Sequence, residues 1–100
     1  MFEYAFKEDQ CQAAISGEMT IYTILELKEK IAAVLADAHN MTIDLSAVNE
    51  IDSAGIQLLL ALHKNRLKHQ HSLMLTHPHD CVTDAFATFG LQSYLSQSES

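Results

Sequence analysis

Ser53 stands where a strand should hand over to a helix, in the run Ile51-Asp52-Ser53-Ala54-Gly55-Ile56. Before it, Met41-Thr42-Ile43-Asp44-Leu45-Ser46 alternates apolar and polar residues as a strand does. After it, Ile56-Gln57-Leu58-Leu59-Leu60-Ala61-Leu62-His63 is too long and too rich in leucine for another strand. Asp52 or Ser53 is then the helix N-cap, its side-chain oxygen accepting from the free N–H groups of the first turn. That turn is electropositive, so a phosphate on Ser53 would be tolerated there. A serine that can be neutral or doubly charged at a fixed surface point can act as a switch.

Other chemistry finds less support. His69, His71, His77, His79, Asp80 and Cys81 sit close together in sequence, but they straddle an expected strand of about five residues. Its ends lie roughly 17 Å apart, too far for one metal with ligands at about 2 Å, so neither a metal nor another cofactor is expected. Ser53 is not the nucleophile of a Gly-x-Ser-x-Gly elbow, because Ile51 occupies the first glycine position. No phosphate-cradling glycine loop is present, and no cysteine–histidine pair that the order of elements would unite. A non-enzymatic protein is expected.

At 100 residues the chain fits one domain, 1–100, with a thin core. Its 13 acidic and 6 basic residues give a net charge of −7, which disfavours nucleic acid or an anionic membrane as the main partner. No apolar run approaches the roughly 18 residues of a membrane span. Met1-Phe2-Glu3-Tyr4-Ala5-Phe6 lacks the basic start and long apolar stretch of a signal peptide. Cys11 and Cys81 fit no ligand spacing and read as reduced cysteines of a cytosolic protein.

Residues 2–7 and 11–18 read as strands joined by the polar turn Lys7-Glu8-Asp9-Gln10. Thr20 to about Asp37 is a helix, with Ile24, Leu27, Ile31, Val34 and Leu35 on one face. Glu26 and Lys30 form a favourable i,i+4 pair, and Thr23 with Glu26 would make a capping box. A third strand covers 41–46, a second helix about Ser53–Gln70, and a fourth strand Ser72–Thr76. The second helix carries a stripe of Ile56, Leu59, Leu60, His63 and Leu67, widened by Leu58 and Leu62, so another layer or a partner must cover it. Its second half, Lys64-Asn65-Arg66-Leu67-Lys68-His69, reads as solvated and basic. A last helix spans about His79–Phe89, burying Val82, Ala85, Phe86 and Phe89. Gly90 stops it with Leu91 as the apolar contact behind; Leu91 and Leu95 pack back and residues 96–100 fray. Strands that alternate with helices should be parallel through right-handed crossovers. The fold class is α/β, with a sheet of about four strands and helices mainly on one face.

These elements and the words within them resemble the STAS family, named for sulfate transporters and anti-sigma factor antagonists. The resemblance runs from the strand ending Ser16-Gly17-Glu18-Met19 to the helix ending Phe89-Gly90-Leu91, and is sharpest at Asp52-Ser53-Ala54-Gly55-Ile56 after Ile43-Asp44-Leu45-Ser46. It implies a stand-alone bacterial, cytoplasmic regulator that acts as an anti-sigma factor antagonist. Ser53 would be phosphorylated by a partner serine kinase that is itself the regulator bound, and a phosphatase would restore binding. Where the family often reads Gly-Glu-Leu-Asp, this chain reads Gly17-Glu18-Met19-Thr20, which weakens the case for a sporulation-type kinase. Gly-Glu-Met-Thr-Ile-Tyr looks more like members that accompany chemosensory systems. Other members are unphosphorylated structural subunits, including one that supports a lipid-transport ATPase.

The expected partner face comprises Asp52, Ser53, Ala54, Gly55, Asp44, Met19, Thr20 and Tyr22. Each has a plainer reading. For Ser53 it is a cap worth about 1 kcal/mol. Asp52 either accepts a turn hydrogen bond or orients the Ser53 hydroxyl and a magnesium-bound phosphate in a kinase complex. Gly55 marks the close approach of a partner backbone or a neighbouring strand. Asp44 is an exposed strand-end acid near the switch turn, and Met19-Thr20-Ile21-Tyr22 is either the neighbouring face or a hydrophobic staple. The exposed sheet edge or helix face leaves a homodimer open.

Overall fold

The structure is a computed structural model that describes residues 1–96. Four strands, β1 (Phe2–Lys7), β2 (Gln10–Met19), β3 (Met41–Ile51) and β4 (Leu73–Thr76), form one sheet in the order β1-β2-β3-β4. The helices are α1 (Ile24–Leu35), α2 (Ser53–Lys68), α3 (Asp80–Thr88) and the short α4 (Ser93–Ser96). β1 and β2 form an antiparallel hairpin; β2, β3 and β4 are mutually parallel, each joined to the next through a helix.

Alternation decides which face is covered. Cys11, Ala13 and Ile15 of β2, Met41, Ile43 and Leu45 of β3, and Leu73 and Leu75 of β4 are buried beneath the helices. The intervening Gln12, Thr42 and Met74 look out from the other face. Leu27, Ile31 and Val34 of α1, Ile56, Leu59 and Leu62 of α2, and Val82 and Phe86 of α3 close the core. The Glu26–Lys30 pair forms on the solvent side of α1 at 3.3 Å. Cys11 and Cys81 are both free thiols.

β3 runs five residues beyond the expected 41–46. Between Ala14–Asp44 and Met19–Ile51 the pairing slips twice, so seven steps along β3 match five along β2. The Asp44 side chain spans the first slip, its Oδ1 accepting from the Ser46 N–H at 2.8 Å and from the Ser46 hydroxyl at 2.6 Å. The next buried side chain after Leu45 is consequently Val48.

Other boundaries and faces are also corrected. α1 begins at Ile24 rather than Thr20, because residues 20–23 form a turn in which the Thr20 carbonyl accepts from the N–H groups of Thr23 and Ile24. No capping box forms: the Thr23 hydroxyl donates back to the Glu18 carbonyl at 2.9 Å and accepts from Thr20 N–H at 3.0 Å. Arg66, expected in water, is 3% exposed, and its guanidinium donates to the carbonyls of Ala38 at 2.6 Å and His39 at 3.0 Å. Leu67, expected on the buried stripe, is exposed instead. His79 is the N-cap of α3 and not its first residue, with Nδ1 accepting from Cys81 N–H at 3.2 Å.

α3 ends in a Schellman motif. Leu91 N–H reaches back to the Phe86 carbonyl at 2.8 Å and Gly90 N–H to the Ala87 carbonyl at 3.0 Å. Gly90 supplies the required left-handed conformation at φ 70°. The reversal leaves Phe89, expected inside, 57% exposed, while Leu91 and Leu95 pack against the core. The expected fraying falls on a tail whose last residues, 97–100, lie outside the described residues.

Candidate functional site

The junction between β3 and α2 resolves the choice of cap. Asp52 holds extended backbone, and its Oδ1 accepts from the N–H groups of Ala54 at 2.9 Å and Gly55 at 3.3 Å. Its second oxygen accepts from Ile21 N–H at 3.0 Å, tying the β2–α1 loop to the start of α2. The Ile21 bond, followed by those from Gly55 and Ala54, holds the Asp52 carboxyl below the usual carboxylate range.

With Asp52 capping, Ser53 becomes the first helical residue and is exposed. Its hydroxyl bonds none of the described residues, unlike the hydroxyls of Thr20, Thr23 and Ser46. It therefore sits at the positive end of a 16-residue helix without holding that helix together.

Gly55 explains how the turn is brought so close to the sheet. A Cβ built there would lie 2.4 Å from the Met19 carbonyl oxygen, 2.7 Å from Ile51 Cγ1 and 2.9 Å from Met19 Cβ. The approaching backbone is thus the end of β2. That same Met19 carbonyl accepts from Asp52 N–H at 3.2 Å.

The expected face divides into three groups. Asp52, Ser53 and Ala54 share the turn, and Tyr22 stands beside it through the Ile21–Asp52 link, 89% exposed. Met19, Thr20 and Gly55 are buried and shape the junction from within. The Thr20 hydroxyl is occupied, donating to Glu18 Oε1 at 3.1 Å and accepting from Tyr22 N–H at 3.3 Å.

Asp44 is elsewhere. It lies mid-strand between Ala14 and Thr76, with seven more residues of β3 before the turn, about 20 Å at strand rise. His77 Nδ1 is 3.5 Å from its Oδ2. The two Ser46 bonds, and then His77, depress its pKa.

Exposed apolar side chains adjoin the turn, Ile21 and Tyr22 through the Ile21–Asp52 bond and Phe89 through a depression shared with Ser53. Ile21, Tyr22 and Leu25 project from the β2–α1 loop and the first turn of α1. Phe89 and Leu91, with Ile56 and Gln57, line a shallow depression of about 230 Å³ that includes Ser53. Phe89 is the addition to the expected face, and the sequence carries no signal for it, because its exposure depends on the Schellman reversal.

The histidines divide as the strand between them requires. At one end of β4 the rings of His39 and His71 face each other at 4.8 Å, with His39 Nδ1 paired to Asp9 Oδ2; His77 is at the other end, against Asp44. No group of three or more His, Cys, Asp or Glu among the described residues is placed to share a metal ion.

Residues 2–96 match a family model described as "Mlab, STAS domain". The chain belongs to the STAS family. Its fold also matches solved structures. The anti-sigma factor antagonist from Mycobacterium paratuberculosis superposes with a TM-score of 0.84 at 23% identity, over 100% of this chain and 86% of that one. The unphosphorylated anti-sigma factor antagonist SpoIIAA gives 0.80 at 16% identity, over 95% and 85%. The phosphorylated form of SpoIIAA, described as a Bacillus cell fate determinant, gives 0.74 at 15% identity, over 95% and 88%. At these identities the structural likeness establishes the STAS fold. No curated protein matches this STAS domain in sequence. Among its described residues, no helix is long and apolar enough to cross a membrane.

Proposed function

We propose that residues 1–100 act as a single, non-enzymatic, cytoplasmic regulatory domain of the anti-sigma factor antagonist type. It binds a partner protein through the start of α2, and phosphorylation of Ser53 by a serine kinase switches that binding off. The kinase is the bound regulator itself, a phosphatase reverses the modification, and the Gly17–Tyr22 wording favours a chemosensory setting. One observation carries this reading: Ser53 is exposed and its hydroxyl bonds none of the described residues, while Asp52 does the capping.

Phosphorylation adds close to −2 charge and removes no side-chain hydrogen bond among the described residues. The N–H groups of the first turn offset part of that charge. At the surface its effect is large, because Ile21 and Tyr22, tied to Asp52, and Phe89, which shares a depression with Ser53, offer an apolar rim beside it. A partner seated on that rim would have to desolvate a dianion beside the Asp52 carboxylate.

A second reading is favoured by the same rim. Three large apolar side chains exposed beside one turn, Ile21, Tyr22 and Phe89, suit a permanent interface, as in a structural subunit of a larger complex such as a lipid-transport ATPase. The two readings separate experimentally. Tagged wild type, Ser53→Ala and Ser53→Asp are captured from the native host and bound proteins quantified, with thermal melts in parallel. A switch loses its partner with Ser53→Asp, keeps it with Ser53→Ala, and melts alike in all three. Equal, stoichiometric capture by all three would refute the switch and support the permanent subunit.

A further inference from the structure

β1 is an open edge of the sheet, and its hydrogen-bond parity determines what can add to it. Met1 and Ser16 exchange both backbone bonds, Ser16 N–H to the Met1 carbonyl at 2.8 Å and Met1 N to the Ser16 carbonyl at 2.5 Å. In an antiparallel pair such residues alternate with non-bonded ones. Glu3, Ala5 and Lys7, opposite Ala14, Gln12 and Gln10, are therefore bonded inward to β2. The N–H and C=O groups of Phe2, Tyr4 and Phe6 point out from the edge, a template for another strand.

We propose that this edge pairs with β1 of a second copy, antiparallel about a two-fold axis at Ala5, giving one continuous eight-stranded sheet. Only registers that place outward residues opposite outward residues can form the ladder, so the axis must pass through a residue; at Glu3 or Lys7 it would set two like charges face to face, and at Phe2 the overlap is too short, which leaves Tyr4, Ala5 or Phe6. At Ala5, Tyr4 lies opposite Phe6 of the second copy and Glu3 opposite Lys7 of the second copy, each pair occurring twice by symmetry.

The aromatic pairs fall on one face and the ion pairs on the other. An axis at Tyr4 would leave Glu3 facing Ala5, and an axis at Phe6 would set Glu3 against Asp9. Charge therefore selects Ala5. The side chains are available: Tyr4 is 52% and Phe6 38% exposed, already in edge-to-face contact at 6.0 Å. The Ala5 methyl at the axis lets the strands approach. Ser53 lies outside this interface, because it follows β3 and β2 intervenes.

The test is sedimentation equilibrium from micromolar to millimolar protein, with melts to verify folding. The expected result is a dimer that Glu3→Lys or Lys7→Glu alone weakens at least about tenfold, or about 1.4 kcal/mol. The double exchange Glu3→Lys/Lys7→Glu should restore it. In a Cys81→Ser background, Ala5→Cys should oxidise to a covalent dimer, since facing non-bonded residues stand about 4.5 Å apart at Cα, within disulfide range. Glu3→Cys should not cross-link. A protein monomeric throughout, a dimer indifferent to both reversals, or an Ala5→Cys variant that stays uncrosslinked would overturn the proposal.

Discussion

Replacing Gly55 by alanine should destabilise the domain even though alanine is the better helix former. The added Cβ would sit 2.4 Å from the Met19 carbonyl oxygen, and must gain 0.6 Å to reach the 3.0 Å below which real Cβ contacts essentially never occur. No rotamer change relieves the clash, because its nearest atom belongs to the backbone. Moving Met19 also stretches the bond from Asp52 N–H, now 3.2 Å. Overpacking of this kind costs about 1–3 kcal/mol and a weakened hydrogen bond about 1 kcal/mol. Removing a glycine from the helix returns about 1 kcal/mol. The net loss is about 2 kcal/mol, which for a domain of this size lowers Tm by about 8–16 °C. Equilibrium urea unfolding with a parallel thermal melt measures it. Ala61→Gly, at an exposed site on the same helix, calibrates the propensity component and should cost about 1 kcal/mol. A Gly55→Ala variant as stable as wild type, or more so, would refute the reasoning.

Arg66→Ala leaves the Ala38 and His39 carbonyls without their donor, and should cost about 2–3 kcal/mol in urea unfolding. Arg66→Lys should recover only part, because an ammonium cannot fork to both the carbonyls and Asn65 Oδ1. His71 is held below its ordinary value of 6.5 by burial first and then by His39, Arg66 and His69. Its unfolded form gains a proton before its folded form does, so stability should fall as pH drops below about 6.5; melts across pH should show His71→Asn flattening that decline. Asp52, with its folded pKa depressed below 3.8, contributes stability that is present above that value and lost as pH falls through the lower folded one. Asp52→Asn should melt several degrees lower at neutral pH and show a shallower acid limb. Both follow from one pH series of melts.

What could be read from the sequence followed from period. Cys11-Ala13-Ile15 and Met41-Ile43-Leu45 alternate and face the core, and Leu27, Ile31 and Val34 repeat at helical spacing. The strand-to-helix step at Ser53 was readable from the same change of period. The failures have local or distant causes that composition does not carry. β3 continues past Ser46 because it stays paired with β2 across two slips of register, which break the alternation that marks a strand in sequence. Arg66 reads as solvated within a run of lysine and histidine, and its carbonyl partners lie 27 and 28 residues away. The choice between Asp52 and Ser53 as cap depends on Ile21, 31 residues distant, which occupies the second carboxylate oxygen. Asp44 is near Ser53 in sequence, whereas the length of β3 separates the two in space.

Phosphosite mapping by intact-mass and peptide mass spectrometry, on protein taken from its native host with and without the partner kinase, tests the role of Ser53 most directly. One phosphate on Ser53 that disappears with the kinase is the predicted result. Protein that carries no phosphate on Ser53 under any growth condition, while remaining in fixed proportion within a complex, would contradict it.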